Sequence, residues 1–164
     1  MTGTAAPAPP PTIHAGCVLV DEAGILIRGA SGTGKSRLAL ALVAGAQASG
    51  RFARLVSDDR CSVSASNGRL VARPPAALAG LLEVRGLGLV EMEAEGAAVV
   101  RLVVDCDTEA PERYPQSTDR TVTVEGVTLP RIRVLAGEGG VTAAVILGLL
   151  PRFERPMLHV LSER

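Results

Sequence analysis

Apolar residues recur along this chain in two rhythms. From Ser36 to Gln47, leucine, valine and alanine return every three or four positions, which predicts a helix with one buried face. Elsewhere the apolar runs are short and either alternate or are rich in β-branched residues, as strands are. Ile13–Val20, Gly24–Arg28, Arg54–Ser57 and residues 89–93, 97–104, 120–124 and 127–135 read this way. Asp21-Glu22-Ala23-Gly24 turns the first strand into the second. Asn67-Gly68 joins Cys61–Ser66 to Arg69–Ala72 as a hairpin. Pro74-Pro75 closes that hairpin and opens a short helix near Ala76–Leu82. Gly86-Leu87-Gly88-Leu89 reads as a glycine-rich loop, and Glu95-Gly96 and Glu125-Gly126 as turns. Val141–Leu150, apolar nearly throughout, predicts a buried helix stopped by Pro151.

These elements predict one strand-rich α/β domain over residues 13–164, preceded by a flexible tail of proline and alanine at residues 1–12. Strand and helix do not alternate regularly, which sets the chain apart from doubly wound nucleotide folds. Composition narrows the classes further. Aromatic residues are only Phe52, Tyr114 and Phe153, and the formal net charge is zero, which argues against nucleic-acid binding by base stacking or by a broad basic surface. No run of 18 apolar residues predicts a membrane span, and no basic-then-apolar start predicts a secretory signal. Cys17, Cys61 and Cys106 lack metal or redox spacing and read as buried free thiols in a reducing, cytoplasmic compartment.

The charge census singles out one residue. Lys35 is the only lysine, against sixteen arginines. It closes Gly29-Ala30-Ser31-Gly32-Thr33-Gly34-Lys35-Ser36, a complete G-x-x-x-x-G-K-[ST] phosphate-binding loop set between a predicted strand and a predicted helix. Backbone N–H groups of such a loop cradle phosphates, the lysine reaches the β- and γ-phosphates, and the hydroxyl of Ser36 binds Mg²⁺. A compact ammonium fits inside the loop where a planar guanidinium would not. The loop also sits at a helix N-terminus, which favours anions. A carboxylate partner is then required, and two strand ends offer one: Asp58-Asp59 after Leu55-Val56-Ser57, and Asp105 after residues 99–104. The residue pattern alone does not choose between them. His14 by itself reads as an ordinary strand residue, and Glu83-Val84-Arg85-Gly86 as a helix end capped by glycine.

These pieces together resemble the catalytic domain of the HPr kinase/phosphorylase family over about residues 13–150. The resemblance rests on His14 upstream of the phosphate loop, on Gly29–Ser36, on Val56-Ser57-Asp58-Asp59-Arg60, and most specifically on Leu82-Glu83-Val84-Arg85-Gly86-Leu87-Gly88-Leu89. It implies a phosphate-loop fold like that of phosphoenolpyruvate carboxykinase. It also implies an enzyme that uses ATP and Mg²⁺ to phosphorylate a serine of the phosphocarrier protein HPr. Asp58 would then be the base that takes the serine proton, Asp59 would orient His14 or the metal site, and Ser36 and Glu83 would hold Mg²⁺. Lys35 and Arg113, in Pro111-Glu112-Arg113-Tyr114-Pro115, would stabilise the transferring group, with Arg85, Gly86 and Gly88 as signature positions. Asp105 would be structural.

The resemblance has gaps. Longer members carry an N-terminal domain that this chain is not expected to contain. The C-terminal region that docks HPr and builds a hexamer in the family is short here, so a homo-oligomer stays open. Where the family carries basic residues linked to dephosphorylation, this chain has Leu135-Ala136-Gly137-Glu138-Gly139-Gly140. Kinase activity is therefore expected before phosphorylase activity, as in the short forms resembling those of alphaproteobacteria. Competing readings are a small-molecule kinase or NTPase, and a catalytically silent nucleotide sensor. The sequence argues against a GTPase, because N-K-x-D needs a second lysine.

Overall fold

The computed structural model describes residues 10–154. Chain order begins with β1 (Thr12–Ile13), β2 (Ala15–Val20) and β3 (Ala23–Arg28), followed by helix α1 (Lys35–Ala48). Strands β4 (Ala53–Ser57), β5 (Cys61–Ser66) and β6 (Arg69–Arg73) come next, then the hairpin β7 (Leu81–Val84) and β8 (Gly88–Glu91). The long β9 (Ala98–Asp107), β10 (Thr121–Val124), β11 (Val127–Leu135), α2 (Gly139–Leu149) and α3 (Pro151–Glu154) complete the described chain. Among the described residues nine strands form one mixed sheet, in the order β1-β5-β6-β9-β3-β2-β4, with β11 pairing β9 and β10 pairing β11. β3 and β11 both run parallel to β9, while the other pairings are antiparallel.

Alternate residues of the central strands feed two cores, as the two-residue period of a strand requires. Ile25, Ile27, Leu102 and Val104 join Leu38, Leu42 and Val43 of α1 and Ile146 of α2 on one face. Leu26 and Val103 join Cys17, Val56, Cys61 and Leu70 on the other. Helix α1 buries Leu38, Ala39, Leu42, Val43 and Ala46, the apolar stripe that its sequence spacing predicts. It ends in a Schellman motif: Gly50 N–H donates to the Gln47 carbonyl (3.0 Å) and Arg51 N–H to that of Ala46 (2.9 Å). Helix α2 crosses α1 closely where Gly45 leaves room. A Cβ there would stand 3.0 Å from a Leu147 methyl.

The predicted elements differ from the structure at five places. The first strand is interrupted at His14, and pairing already begins at Thr12, opposite Ser62. The rest of the expected tail, residues 1–9, lies outside the described residues. Only Ala76–Leu78 makes a helical turn, of the 3-10 type, and the chain is extended again from Leu81. Leu82 turns into the core there, and Met92 N–H donates to the Gly80 carbonyl (2.8 Å), so pairing with the returning strand replaces the helix. Glu83-Val84-Arg85-Gly86 is accordingly the tip of a hairpin, not a helix end. β9 runs three residues beyond its predicted end, which puts Asp105 inside a strand. Pro151 does not stop the helical path: it opens α3, at a first-turn position where its missing N–H costs nothing.

Candidate active site

The phosphate loop spans the end of β3 and the start of α1, and close packing dictates its shape. Gly29 has a backbone φ of 153°, and a Cβ there would meet the Cys106 carbonyl oxygen and Thr33 Oγ1, each at 2.7 Å. Gly34, the residue before α1, is left-handed at φ 90°. The Thr33 hydroxyl donates to the Ala30 carbonyl (2.8 Å), and Lys35 Nζ donates to the same oxygen (3.1 Å). Lys35 is 5 % exposed, so its ammonium is held inside the loop with one main-chain acceptor. α2 begins against the same loop. Gly137 N lies 3.6 Å from where a Gly34 Cβ would be, and exposed Glu138 is the first residue before that helix.

Asp58 enters from β4. This strand is not the neighbour of β3 that its place in the chain suggests, because β2 lies between them. Asp58 nevertheless reaches the loop. Its Oδ1 accepts the Ser36 hydroxyl at 2.8 Å, and its Oδ2 accepts the main-chain N–H of Glu83 at 3.0 Å. The carboxylate is 6 % exposed and, among the described residues, has no cation as a hydrogen-bond partner. It therefore joins three segments remote in sequence: the phosphate loop, the end of β4 and the β7–β8 hairpin. Asp59 is left-handed at φ 61°, which turns its side chain away from Asp58 and towards His14, whose Nε2 lies 2.5 Å from Asp59 Oδ1. That pair is exposed at the rim.

Asp105, the other carboxylate offered by the sequence, is committed elsewhere. Arg28 holds it with two hydrogen bonds, Nε to Oδ1 at 2.7 Å and Nη2 to Oδ2 at 2.8 Å, on the sheet face opposite α1. Arg113 stands on the exposed loop after β9 with its guanidinium 5.7 Å from the Tyr114 ring centre. Among the described residues, no hydrogen bond or ion pair joins it to the Asp58 cluster. The side chains of Glu83 and Arg85 are exposed on the hairpin, with Gly86 and Gly88 both at positive φ around its three-residue tip. Sequence reasoning missed Arg131 and Arg133. Arg133 grips Asp107 at the end of β9 and Arg131 grips Asp119 of the β9-to-β10 connection, and their two-residue spacing on a strand was the one available signal.

The donor set suits a hard cation bound through few protein oxygens. Ser36 Oγ sits at the phosphate loop against a buried carboxylate, with the Glu83 segment beside it. Among the described residues no three His, Cys, Asp or Glu side chains converge as a self-sufficient metal cage. The three cysteines are buried and unpaired. Burial pushes the Cys106 thiol, under Gly29, from 9.0 to about 11 against an opposing pull from Lys35, and raises Cys61 to about 11 as well. No described helix is long and apolar enough to cross a membrane.

The family model of the HPr serine kinase C-terminal domain matches residues 6–147. The chain belongs to this family. It is 34 % identical over 150 residues to the HPr kinase/phosphorylase of Limosilactobacillus reuteri, and 36 % identical over 147 residues to that of Streptococcus thermophilus. These alignments cover 85 % and 82 % of this chain but 45 % of each relative, so the chain spans less than half the length of the curated relatives it matches. The solved structure of the Hpr(Ser) kinase/phosphatase from Coxiella burnetii superposes with a TM-score of 0.70 at 24 % identity, covering 88 % of this chain and 99 % of that one. The strand-rich α/β fold is thus the fold of this kinase family.

Proposed function

We propose that this domain is a protein-serine kinase that transfers the γ-phosphoryl group of ATP to a serine of the phosphocarrier HPr in the cytoplasm. The observation that carries the reading is Asp58. A buried carboxylate one hydrogen bond from phosphate-loop Ser36 supports its use as a base beside the terminal phosphate. Mg²⁺, held by Ser36 and Glu83, would neutralise charge on the bound phosphates. Asp58 takes the proton of the acceptor serine as its oxygen attacks the γ-phosphorus. The bond from that phosphorus to the leaving ADP oxygen breaks with its electron pair. Lys35, already aimed into the loop, stabilises charge on the transferring group, and Arg113 does so from the solvent side. Asp59 fixes the ring of His14 beside the acceptor. In the reverse direction, phosphate would attack phosphoserine while Asp58 returns the proton. Glu138, a carboxylate on the rim of the phosphate loop, repels that incoming anion and weakens the reverse reaction.

The test is incubation with ATP, Mg²⁺ and the HPr of the same organism, with the phosphate located by mass spectrometry. Phosphoserine on HPr is the expected product. Intact nucleotide binding without phosphoserine would sink the reading, and ATP consumed equally without HPr would point to a small-molecule kinase or NTPase. Added phosphate acting on phospho-HPr measures the reverse reaction.

A further inference from the structure

The loop that carries Arg113 leaves the sheet beside the phosphate loop and returns to it two strands away. Its starting foot is Cys106-Asp107, whose Cys106 carbonyl is the atom that crowds Gly29. Arg113 lies six positions beyond Asp107, a span of at most about 22 Å, so Arg113 can come to phosphates bound in the loop without any unfolding of the sheet. Both feet are gripped from one strand. Arg133 Nε donates to Asp107 Oδ2 at 2.7 Å at the first foot, where Ala136 N–H also donates to the Asp107 carbonyl (2.8 Å). At the second foot, Arg131 Nε donates to the Asp119 carbonyl (2.9 Å) and its Nη2 to Asp119 Oδ1 (3.4 Å). Arg131 and Arg133 lie two apart on β11 and so share a face. Arg131 also lies 3.7 Å from Asp105, which Arg28, the residue before the phosphate loop, holds by two bonds.

Between the feet the loop is stiffened. Pro111 and Pro115 stand two residues either side of Arg113, which reduces the backbone freedom there. The 3-10 turn Ser117–Arg120 precedes β10, with Asp119 N–H donating to the Gln116 carbonyl (3.0 Å). Ion pairs as exposed as these add little to global stability. Their arrangement matters more than their energy: two arginines, one strand, and one aspartate at each end of the same loop.

We propose that Arg131 and Arg133 are positioning residues that clamp both feet of the 108–118 loop and so set where Arg113 stands over the phosphate loop. The Arg28–Asp105–Arg131 chain makes the phosphate loop and the arginine-bearing loop one rigid frame. This rests on the reading of Arg113 as a group that meets the transferring phosphoryl.

The experiment is a double-mutant cycle on phosphoryl transfer to HPr, with Arg131→Met made in the wild-type and Arg113→Ala backgrounds. Alone, Arg131→Met is expected to lower kcat about tenfold while leaving KM for ATP within about twofold, because only the placement of a transition-state group is lost. In the Arg113→Ala background it is expected to change kcat less than about twofold. An equal loss in both backgrounds overturns the proposal, and so does an unchanged kcat in Arg131→Met or in Arg113→Ala. Hydrogen exchange supplies a readout that needs no turnover. Amides of residues 108–118 should exchange faster in Arg131→Met and in the milder Asp119→Asn, with those of α1 unchanged. Unaltered exchange across 108–118 in both variants refutes the clamp. Absence of phosphoryl transfer by the wild-type protein refutes the kinase reading instead, and the exchange measurement still decides the clamp.

Discussion

Replacing Asp58 by asparagine separates charge from shape at the centre of the site. The carboxylate accepts two hydrogen bonds, from the Ser36 hydroxyl and from the Glu83 main chain. An amide can keep both. Its carbonyl oxygen accepts the Glu83 N–H, and its NH₂ donates to the Ser36 oxygen, because a hydroxyl rotates freely between donor and acceptor roles. What disappears is the negative charge and the ability to take a proton. The hydrogen bonds at stake are worth about 1–3 kcal/mol each when one partner is charged. Exchanging them for neutral ones is partly offset because a neutral amide is easier to bury. Net stability should therefore stay within about 1 kcal/mol, a melting shift of about 2–4 °C in a chain of this size. Loss of general-base catalysis costs about 10²–10⁴ in kcat, equivalent to about 2.7–5.5 kcal/mol of barrier. The assay is steady-state phosphorylation of HPr, with nucleotide affinity by calorimetry and melting by circular dichroism. A folded Asp58→Asn protein that binds ATP normally and transfers phosphate within tenfold of the wild-type rate would refute the assignment of Asp58 as proton acceptor.

Three further outcomes follow from the geometry. Lys35→Arg should lower kcat/KM for ATP by about 10²-fold, because the wide guanidinium cannot occupy the buried space beside the Ala30 carbonyl; wild-type turnover in this variant would contradict that packing argument. Gly29→Ala should cost about 1–3 kcal/mol in a denaturant titration, since its methyl group would sit 2.7 Å from both Cys106 O and Thr33 Oγ1, and an unchanged midpoint would mean that the loop is looser than described. Alkaline pH should destabilise the fold. Cys61 and Cys106 have thiols raised from 9.0 to about 11, so the folded state favours their neutral form; that contribution is intact below about pH 9 and is lost as pH rises towards 11. Urea midpoints measured from pH 8 to 10.5 should fall in wild type and fall less in a Cys61→Ala/Cys106→Ala variant; parallel curves would dismiss these two thiols as the cause.

Local chemistry made part of this molecule legible in advance. The phosphate loop and its helix depend on glycines, one lysine and a 3.6-residue stripe, all contiguous in the chain. The Asn67-Gly68 hairpin is equally local. Where non-local pairing decides, the one-dimensional pattern fails. Leu81 and Leu82 read as helix after Pro74-Pro75, yet the returning β8 and the core under α1 claim them as strand. Asp105 and Asp58 were indistinguishable as strand-end carboxylates. Their roles separate only because Arg28, 77 positions before Asp105, lies opposite it across a parallel pair, while among the described residues no arginine bonds to Asp58. The link from Asp58 to Glu83 likewise depends on a main-chain N–H, which carries no side-chain signature in the sequence.

That same N–H gives the site a built-in indicator. The Glu83 amide proton points at Asp58 Oδ2, so its environment changes whenever the carboxylate gains or loses a proton or turns towards another donor. In a nitrogen-15 spectrum this single cross-peak would report changes at the Asp58 carboxylate, free of the overlap that hides carboxyl carbons. Nucleotide and acceptor could be added one at a time while that peak is followed, so that the order in which the site charges and discharges is read from the main chain.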